Sequence, residues 1–388
     1  MLQGKEEGLG EGKTVLATSW LSFPQVKGVP RGTPLGGNIM AGKIKVGVLG
    51  ATGMVGQRYI KLLEDHPWFE VTYVAASPRS AGQLYKDAVA NRWLIGAEIP
   101  AGVQNLMVED ANLAEKAIGK CQFVFSALEL PKKEDIKNLE AAYAAEGIPV
   151  VSNASANRWT EDVPMLVPEI NYSHLDVIAD QKKHHGWDKG FIAVKPNCSL
   201  QTYMMPIHAL IQAGYEIKRM VVTTLQATSG AGYPGVPSFD MIDNIVPFIG
   251  GEEEKTEKEC LKILGTVKDG KIENAAGPIV SSTCTRVPVI DGHTACVSLE
   301  FGDKKPSMEE IEKIWTSYTS VPQKLKLPSA PEHPIVVRHE ENRPQPRRDR
   351  ETEKGMACVI GRLRPCNVFD ISFVFLSQNT KRGAALGG

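Results

Sequence analysis

Short apolar runs alternate with longer amphipathic segments along the first half of the chain. Residues 44–49 form an apolar run, half of it β-branched, that ends at Gly50, and this composition predicts a buried first strand. Segments of helical periodicity follow at 54–63, 113–117 and 133–146, and further apolar runs follow at 71–76, 122–127, 149–153 and 191–194. This alternation predicts βαβ units and a parallel sheet.

The second half of the chain has longer strand-like segments and fewer helices. Helical patterns cover 199–213 and 308–318, and strand patterns cover 220–227, 280–289, 294–301 and 370–376. The charged, proline-bearing residues 340–354 are predicted to form an exposed loop. The fold class predicted for the chain is α/β: a Rossmann-type parallel-sheet nucleotide-binding domain with a second α+β domain.

These changes of pattern predict four segments. Residues 1–39 are rich in Gly and Pro and lack periodicity, which favours a disordered or non-native extension. Residues 40–197 are predicted to form the nucleotide-binding domain, 198–355 the second domain, and 356–388 a return to the first domain. With 388 residues and 42% hydrophobic content, the chain has enough apolar material for two such domains.

Composition narrows the function classes. A formal net charge of −1 argues against nucleic acid as the main partner, and no apolar run approaches the roughly 18 to 20 residues that a membrane span needs. The seven cysteines are odd in number and scattered, without the close spacing of a metal site or a redox dithiol. The N-terminal residues also lack the apolar core of a secretory signal. We therefore expect a cytoplasmic protein without a metal.

A glycine-rich turn directly follows the predicted first strand. The run GATGMVG contains Gly50 and Gly53 and opens the helix predicted over 54–63. Backbone amides at such a helix start bind a pyrophosphate, whereas a glycine pattern by itself is also compatible with an ordinary tight turn. The complete βαβ context favours dinucleotide binding.

The end of the second predicted strand indicates which dinucleotide is bound. An NAD site usually has Asp or Glu there, to accept a hydrogen bond from the ribose 2′-hydroxyl. This chain has Ser77, Arg79 and Ser80 instead, which offer the donors that a 2′-phosphate needs. NADP is favoured over the alternative of a solvated arginine in a turn.

Two residues carry candidate covalent chemistry. Cys198 lies in PNCS just before a predicted helix, where the helix dipole stabilises a thiolate, and its neighbours Asn197 and Ser199 are possible oxyanion donors. A lone cysteine is equally compatible with core packing. His293 lies in VIDGHT, seven residues after Arg286, and the residues alone favour a surface hairpin histidine at this position.

The motifs taken together resemble aspartate-semialdehyde dehydrogenase of the archaeal and fungal branch. In chain order they are GATGMVGQR, SNASANRW with VPEIN, PNCS, QATSGAGYPGVP, IGGEEEK, RVPVIDGHT and SQNT. The resemblance spans about residues 40–380, and seven ordered motifs are more specific than any one of them. It therefore replaces the surface interpretation of His293 with a catalytic one.

The resemblance implies a role for each site residue. Cys198 is the nucleophile, His293 the acid or base, and Gln226 orients the intermediate beside the cysteine. Arg286 is implied to bind the substrate carboxylate, Glu252 its amino group, and Arg158 and Lys255 the leaving phosphate. The implied cofactor contacts, besides Gly50, are Thr52, Gly53, Met54, Val55, Ser77, Arg79, Ser80, Ser229, Gly230 and Asn379.

The implied reaction converts L-aspartyl 4-phosphate and NADPH to L-aspartate 4-semialdehyde, phosphate and NADP, on the route to lysine, methionine and threonine. The resemblance also implies a second domain that carries both catalysis and dimerisation, in a homodimer or homotetramer. Related alternatives are an acyl-CoA or N-acetylglutamyl-phosphate reductase, and a catalytically silent NADP-binding protein. After SQNT the family continues with a long apolar helix, whereas this chain ends in GAALGG, so we expect a shortened C-terminus.

Overall fold

The computed structural model describes residues 42–388, apart from the side chain of residue 202. The extension predicted over 1–39 lies outside the described residues. The first of two large sheets is built from six strands: β1 (Ile44–Leu49), β2 (Phe69–Ala76), β3 (Val108–Asp110), β4 (Phe123–Ser126), β5 (Val150–Ser152) and β6 (Ile192–Val194). All are parallel, in the order β3-β2-β1-β4-β5-β6.

Helices connect these strands as the alternating pattern predicts. They are α1 (Met54–Leu63), α2 (Tyr85–Ala88), α3 (Ala101–Gln104), α4 (Lys133–Ala145), α5 (Pro168–Asn171) and α6 (Val177–His185). Helix α1 buries one face, including Tyr59, Ile60 and Leu63, because its apolar residues recur at helical spacing. The segment predicted as a helix over 113–117 is a 3₁₀ turn, Ala114–Ala117, because it is too short to complete α-helical hydrogen bonding.

The second sheet is mixed. Its strands are β7 (Ile217–Gln226), β10 (Ile279–Arg286), β11 (His293–Phe301), β12 (Ile335–Val337), β13 (Cys358–Pro365) and β14 (Ile371–Ser377), in the order β10-β7-β11-β14-β13-β12. A separate hairpin contains β8 (Thr266–Lys268) and β9 (Lys271–Glu273). A parallel pair of strands lies at each edge of this sheet, β10 with β7 and β12 with β13, and the pairs between them are antiparallel. The parallel sheet and the mixed sheet confirm the predicted fold class.

The remaining helices pack around this second sheet. They are α7 (Leu200–Gln212), α8 (Ser238–Met241), α9 (Glu252–Ile263), α10 (Met308–Thr316), α11 (Val321–Lys324) and α12 (Pro346–Asp349). Helix α7 is apolar on nearly all sides, and it belongs to a core cluster with residues of both sheets. Within residues 42–388, every helix is too short or too polar to cross a membrane.

Two predictions about the C-terminal third are wrong. Residues 340–354 are not a simple exposed loop, because Pro346–Asp349 form the short helix α12 and the side chain of Asp349 is buried, where its carboxylate accepts a hydrogen bond from Arg343 Nε at 2.7 Å. Residues 356–388 do not return to the first domain as a whole, because β13 and β14 complete the second sheet. Only the last residues do so: Ala385 packs in the core of the first domain, and the buried Arg382 makes a bidentate ion pair with Glu169. The other predicted domain boundaries stay predictions.

Candidate active site

Several strand ends meet at one edge of the second sheet. Gln226 ends β7 and pairs with Arg286, which ends the parallel neighbour β10. His293 begins β11 and pairs with Ser377 at the end of β14. Because β11 runs antiparallel to β7 and β14, its start lies where those strands end. The register therefore brings Gln226, Arg286 and His293 together, although sequence separates them.

Cys198 lies beside this edge, between β6 and α7. It precedes the 13-residue helix α7 by two residues, and its side chain is partly exposed. Cys198 Sγ is 3.3 Å from His293 Nε2. The free amides and the dipole at the start of a helix of this length favour a thiolate. The thiol, the imidazole and the helix start therefore form the centre of a candidate site for nucleophilic chemistry.

A backbone hydrogen bond fixes the tautomer of His293. The Ala227 amide donates to His293 Nδ1 at 3.0 Å. An amide N–H cannot accept a hydrogen bond, so Nδ1 carries no proton and the neutral ring has its proton on Nε2, facing Cys198. Burial, and then the charge of Arg286, lower the pKa of His293 to about 3. His293 is therefore a neutral donor towards the sulfur.

Glu252 organises the polar side of the site. Its carboxylate is buried at the start of α9 and accepts hydrogen bonds from Asn197 Nδ2 at 2.8 Å, Gln226 Nε2 at 3.2 Å and Lys255 Nζ at 2.7 Å. Burial by itself raises the pKa of Glu252, but Lys255 and the other donors bring it below its ordinary value. Glu252 is thus an anion that orients both amides. The Asn197 side chain, which the sequence suggested as an oxyanion donor, donates to Glu252 instead.

A second buried carboxylate, Glu259, is a residue that the sequence reasoning missed. It accepts from Arg158 Nη1 at 2.9 Å and from the Asn197 amide at 2.7 Å. Arg158 also donates through Nε to the Lys195 carbonyl at 3.1 Å. Glu259 stands seven residues after Glu252 on α9, a spacing that places both on one helix face. The seven-residue spacing is the feature of the sequence that could have indicated Glu259. In the structure, Glu259 holds Arg158 beside the turn between β6 and α7 that contains Cys198.

Arg286 is in close contact with the loop that follows β7, residues 227–235, which is called the glycine-rich loop below. Arg286 Nη1 donates to the Ala227 carbonyl at 2.8 Å, and the side chain is largely buried. A Cβ on Gly230 would lie 2.7 Å from that nitrogen and 3.0 Å from His293 Cε1. Gly230 therefore lets the loop approach both functional side chains.

We expect Gly230→Ala to lower catalytic efficiency by roughly tenfold to a hundredfold, because small displacements of reacting groups have effects of that size. The added methyl group displaces the guanidinium of Arg286, the imidazole of His293, or both. Steady-state kinetics measures this effect. Gly102→Ala is the control, since a Cβ at that position meets nothing within 4 Å. Wild-type kinetics in Gly230→Ala would contradict the close approach.

The turn after β1 has the geometry of a pyrophosphate site. Gly50 has a positive φ of 70°, and a Cβ on Gly56 would lie 2.2 Å from the Gly50 carbonyl oxygen, so the turn and α1 pack closely. The first turn of α1 has no acidic residue. A helix start without an acidic side chain favours an anion, and Thr52, Gly53, Met54 and Val55 all stand at this turn.

The end of β2 carries a second guanidinium. Ser77 and Arg79 are exposed there, while the buried Ser80 hydroxyl accepts a hydrogen bond from Arg92 Nη2 at 2.7 Å. The sequence predicts Ser77, Arg79 and Ser80 as cofactor contacts but does not indicate Arg92, because 12 residues separate Arg92 from Ser80. Arg79 and Arg92 together offer two cations for a phosphate.

Asn379 ties the C-terminal segment to the active-site loops. Its Nδ2 donates to the Ser229 hydroxyl at 2.9 Å, and its Oδ1 accepts from the Gly292 amide at 2.8 Å. Gly292 immediately precedes His293. Asn379 therefore connects the glycine-rich loop with the turn that places the catalytic histidine candidate.

Comparisons with known proteins agree with this arrangement. Residues 45–178 match the model of the semialdehyde dehydrogenase NAD-binding domain, and 207–382 match that of the semialdehyde dehydrogenase dimerisation domain. The aspartate-semialdehyde dehydrogenase of Methanothermobacter thermautotrophicus is 47% identical over 88% of this chain and 96% of its own length. The chain belongs to the aspartate-semialdehyde dehydrogenase family.

Fungal members of the family show the same similarity. The aspartate-semialdehyde dehydrogenase of Cryptococcus neoformans is 46% identical over 88% of this chain and 94% of its own length. The crystal structure of the Candida albicans aspartate-semialdehyde dehydrogenase with NADP has a TM-score of 0.80 and 39% identity, covering 89% of this chain and 96% of that one. The archaeal and fungal resemblance inferred from the motifs is confirmed.

Proposed function

We propose that this chain reduces L-aspartyl 4-phosphate to L-aspartate 4-semialdehyde with NADPH, through a thioester on Cys198. In this role it serves the biosynthesis of lysine, methionine and threonine. The observation that carries the proposal is the contact between Cys198 Sγ and His293 Nε2 at a helix start, in a chain of this family. A catalytically silent NADP-binding protein would have no need of that pair.

The chemistry follows from the groups present. The Cys198 thiolate attacks the acyl carbon, the bond to the phosphate oxygen breaks, and phosphate leaves with the electron pair and takes up a proton. NADPH then supplies a hydride to the thioester carbonyl carbon, which is less stabilised by resonance than an oxygen ester. The carbon–sulfur bond breaks, the aldehyde is released and the thiolate is restored. The Nε2 proton of His293 faces the carbon–sulfur centre and stabilises negative charge that develops there.

The surrounding charges fit an amino-acid acyl phosphate. We assign the substrate carboxylate to the fork of Arg286 and the substrate ammonium to Glu252, while Gln226 orients the intermediate. The phosphate is assigned to Arg158 and Lys255. Both cations are held in place by carboxylates, Arg158 by Glu259 and Lys255 by Glu252. This combination of a cationic fork and an anion favours a free amino-acid substrate over an acyl-CoA or an N-acetylated one.

The residues present also fit NADP, which is bound by the Candida albicans relative in its crystal structure. The helix start at Gly50 to Val55 would hold the pyrophosphate, and Ser77, Arg79 and Ser80 the 2′-phosphate. Ser229, Gly230 and Asn379 would contact the nicotinamide end from the second sheet. The absence of an acid at the end of β2 leaves no acceptor there that would select an unphosphorylated ribose.

Replacing Arg79 with alanine should weaken NADP binding by about 1.5 to 3 kcal/mol, or roughly tenfold to a hundredfold, because one charge-assisted contact to phosphate is lost. NAD affinity should change little. Titration of both cofactors at low and high salt measures the ratio of NADP affinity to NAD affinity. This ratio should shrink as the salt concentration rises. Arg347→Ala, an exposed arginine of α12, is the control. Equal losses for NAD and NADP would refute the assignment.

A direct assay tests the proposed reaction. Purified protein should form NADPH from NADP only when aspartate semialdehyde and inorganic phosphate are both supplied, because the reverse reaction needs phosphate to release the acyl group. N-acetylglutamate semialdehyde with phosphate, and aspartate semialdehyde with coenzyme A, are the comparison reactions. Preference for either of these would replace the proposed substrate.

We propose a cytoplasmic homo-oligomer, either a homodimer or a homotetramer, without nucleic-acid or membrane partners. The second domain matches a dimerisation domain, and its segment after Gly235 exposes Phe239, Ile242 and Phe248 at 91%, 69% and 64%. Apolar exposure of this kind is typical of an interface. All seven cysteines are free thiols, which supports a reducing compartment.

A further inference from the structure

Lys195 is a buried cation that the mechanism above does not use. Its side chain is almost fully buried in the turn between β6 and α7, three residues before Cys198. Its Nζ donates to two backbone carbonyls, that of Pro196 at 3.1 Å and that of Gly383 at 2.6 Å. Among residues 42–388, no carboxylate lies within ion-pair distance of this ammonium. A buried charge without an anionic partner is costly, so its partner should be sought in the site.

The carbonyl that holds Lys195 belongs to a residue in contact with the nucleophile. A Cβ on Gly383 would lie only 2.9 Å from Cys198 Cβ. The contact with Gly383 therefore holds the ammonium of Lys195 near Cys198, while His293 Nε2 contacts the sulfur. Cys198 thus has both a neutral donor, His293, and a buried cation, Lys195, in its surroundings.

His293 cannot provide that positive charge. An imidazolium would carry a proton on Nδ1, and this proton would oppose the Ala227 N–H that now donates to the same atom. Burial and the neighbouring Arg286 also lower the pKa of His293, so both local geometry and charge keep the ring neutral. An ion pair between the thiolate and this histidine is therefore disfavoured.

We propose that Lys195 is a positioning residue whose ammonium stabilises the Cys198 thiolate, in the role that an imidazolium fills in many cysteine enzymes. This inference rests on the proposed function of Cys198 as nucleophile. The proton leaves the thiol to solvent, and Lys195 keeps its own. His293 remains the hydrogen-bond donor to the sulfur and to the reacting carbonyl oxygen.

The charges around both groups agree with this arrangement. Burial, and then Glu252, raise the pKa of the Cys198 thiol, and Lys195 is first among the cations that oppose them, followed by Arg158 and Arg286. Burial, and then Arg158, lower the pKa of Lys195 to about 7. Among the anions that raise it, Cys198 comes before Glu259 and Glu252. The charged form of each group therefore stabilises the charged form of the other.

The test is the pH dependence of Cys198 alkylation by iodoacetamide, followed by mass spectrometry of the peptide that contains Cys198. This readout requires no turnover. In Lys195→Met the midpoint should rise by about one to three pH units, the shift that an adjacent opposite charge produces. Lys195→Arg keeps the charge, so its alkylation midpoint should lie close to that of wild type. An unchanged midpoint in Lys195→Met would overturn the proposal.

Two further variants serve as controls. One tests for a purely structural effect of losing a buried lysine, and the other tests whether His293 supplies the positive charge instead. Lys262→Met removes another buried lysine that donates to two backbone carbonyls, those of Arg158 and Thr160, and it should leave the midpoint where it is in wild type. A rise in Lys262→Met equal to that in Lys195→Met would overturn the proposal. His293→Gln should shift the midpoint by less than a unit while lowering kcat, whereas a larger rise would assign the charge to the histidine. Turnover that persists in Cys198→Ala would reject the proposed function instead.

Discussion

Replacing Cys198 with alanine should lower turnover by roughly 10⁴- to 10⁶-fold, the range found when a residue of a catalytic nucleophile set is removed. Covalent catalysis then has no nucleophile, because Cys198 is the thiol that contacts His293 in the described part of the chain. NADP affinity should stay close to wild type, since the glycine turn and the end of β2 are built from other residues. Kinetics together with cofactor titration measures both quantities.

Cys366→Ser is the matched control for this variant. Hydrogen bonding, first from Ser372, lowers the pKa of the Cys366 thiol to about 7, so it is the thiol against which the role of Cys198 is best compared. It follows the end of β13, whereas Cys198 precedes α7. Its replacement should leave turnover unchanged. Substantial activity in Cys198→Ala, or its loss in Cys366→Ser, would contradict the thioester mechanism.

Arg286→Leu should reduce kcat/KM by roughly 10²- to 10⁴-fold, because a bidentate carboxylate contact has two charged hydrogen bonds of about 1.5 to 3 kcal/mol each. The loss should be larger than for any single surface charge, since Arg286 is largely buried and cannot be replaced by solvent. Steady-state kinetics with aspartate semialdehyde measures it.

Two comparisons make the Arg286 experiment specific. Arg286→Lys keeps the charge but not the planar fork, so its kcat/KM should fall between those of wild type and Arg286→Leu. Arg219→Leu removes an exposed arginine of β7 that pairs with Glu300, and it should leave kcat/KM nearly unchanged. If Arg286→Leu were also nearly silent, the carboxylate of the substrate would be bound elsewhere.

The nucleotide-binding half was largely predictable because its signals are local. Strand and helix periodicity, the glycine turn at Gly50 and the missing acid at the end of β2 are all read within a few residues. The predicted 44–49 and 54–63 coincide with β1 and α1. The three-residue strands β3 and β12 were missed, although β5 and β6, which have the same length, were predicted.

His293 shows where local reasoning stops. The residues next to His293 predict a surface position, and only the order of the family motifs indicates a different one. The structure supplies the physical reason, because the pairing of β11 with β7 and β14 places the first residue of β11 beside the last residues of the other strands. Register between distant strands depends on side-chain packing across the whole sheet.

The sequence by itself determined the α/β class, the cofactor turn, the position of Cys198 before a helix, and the family. Only the tertiary structure decided how the buried charges are paired. Glu259 binds Arg158, 101 residues away, and Lys195 donates to Gly383, 188 residues away. Helical and strand periodicity place a residue on a face but do not say which distant residue meets it there. The partners of a buried charge are therefore set by the packed fold, because burial is tolerated only where the complete chain supplies a donor or an opposite charge.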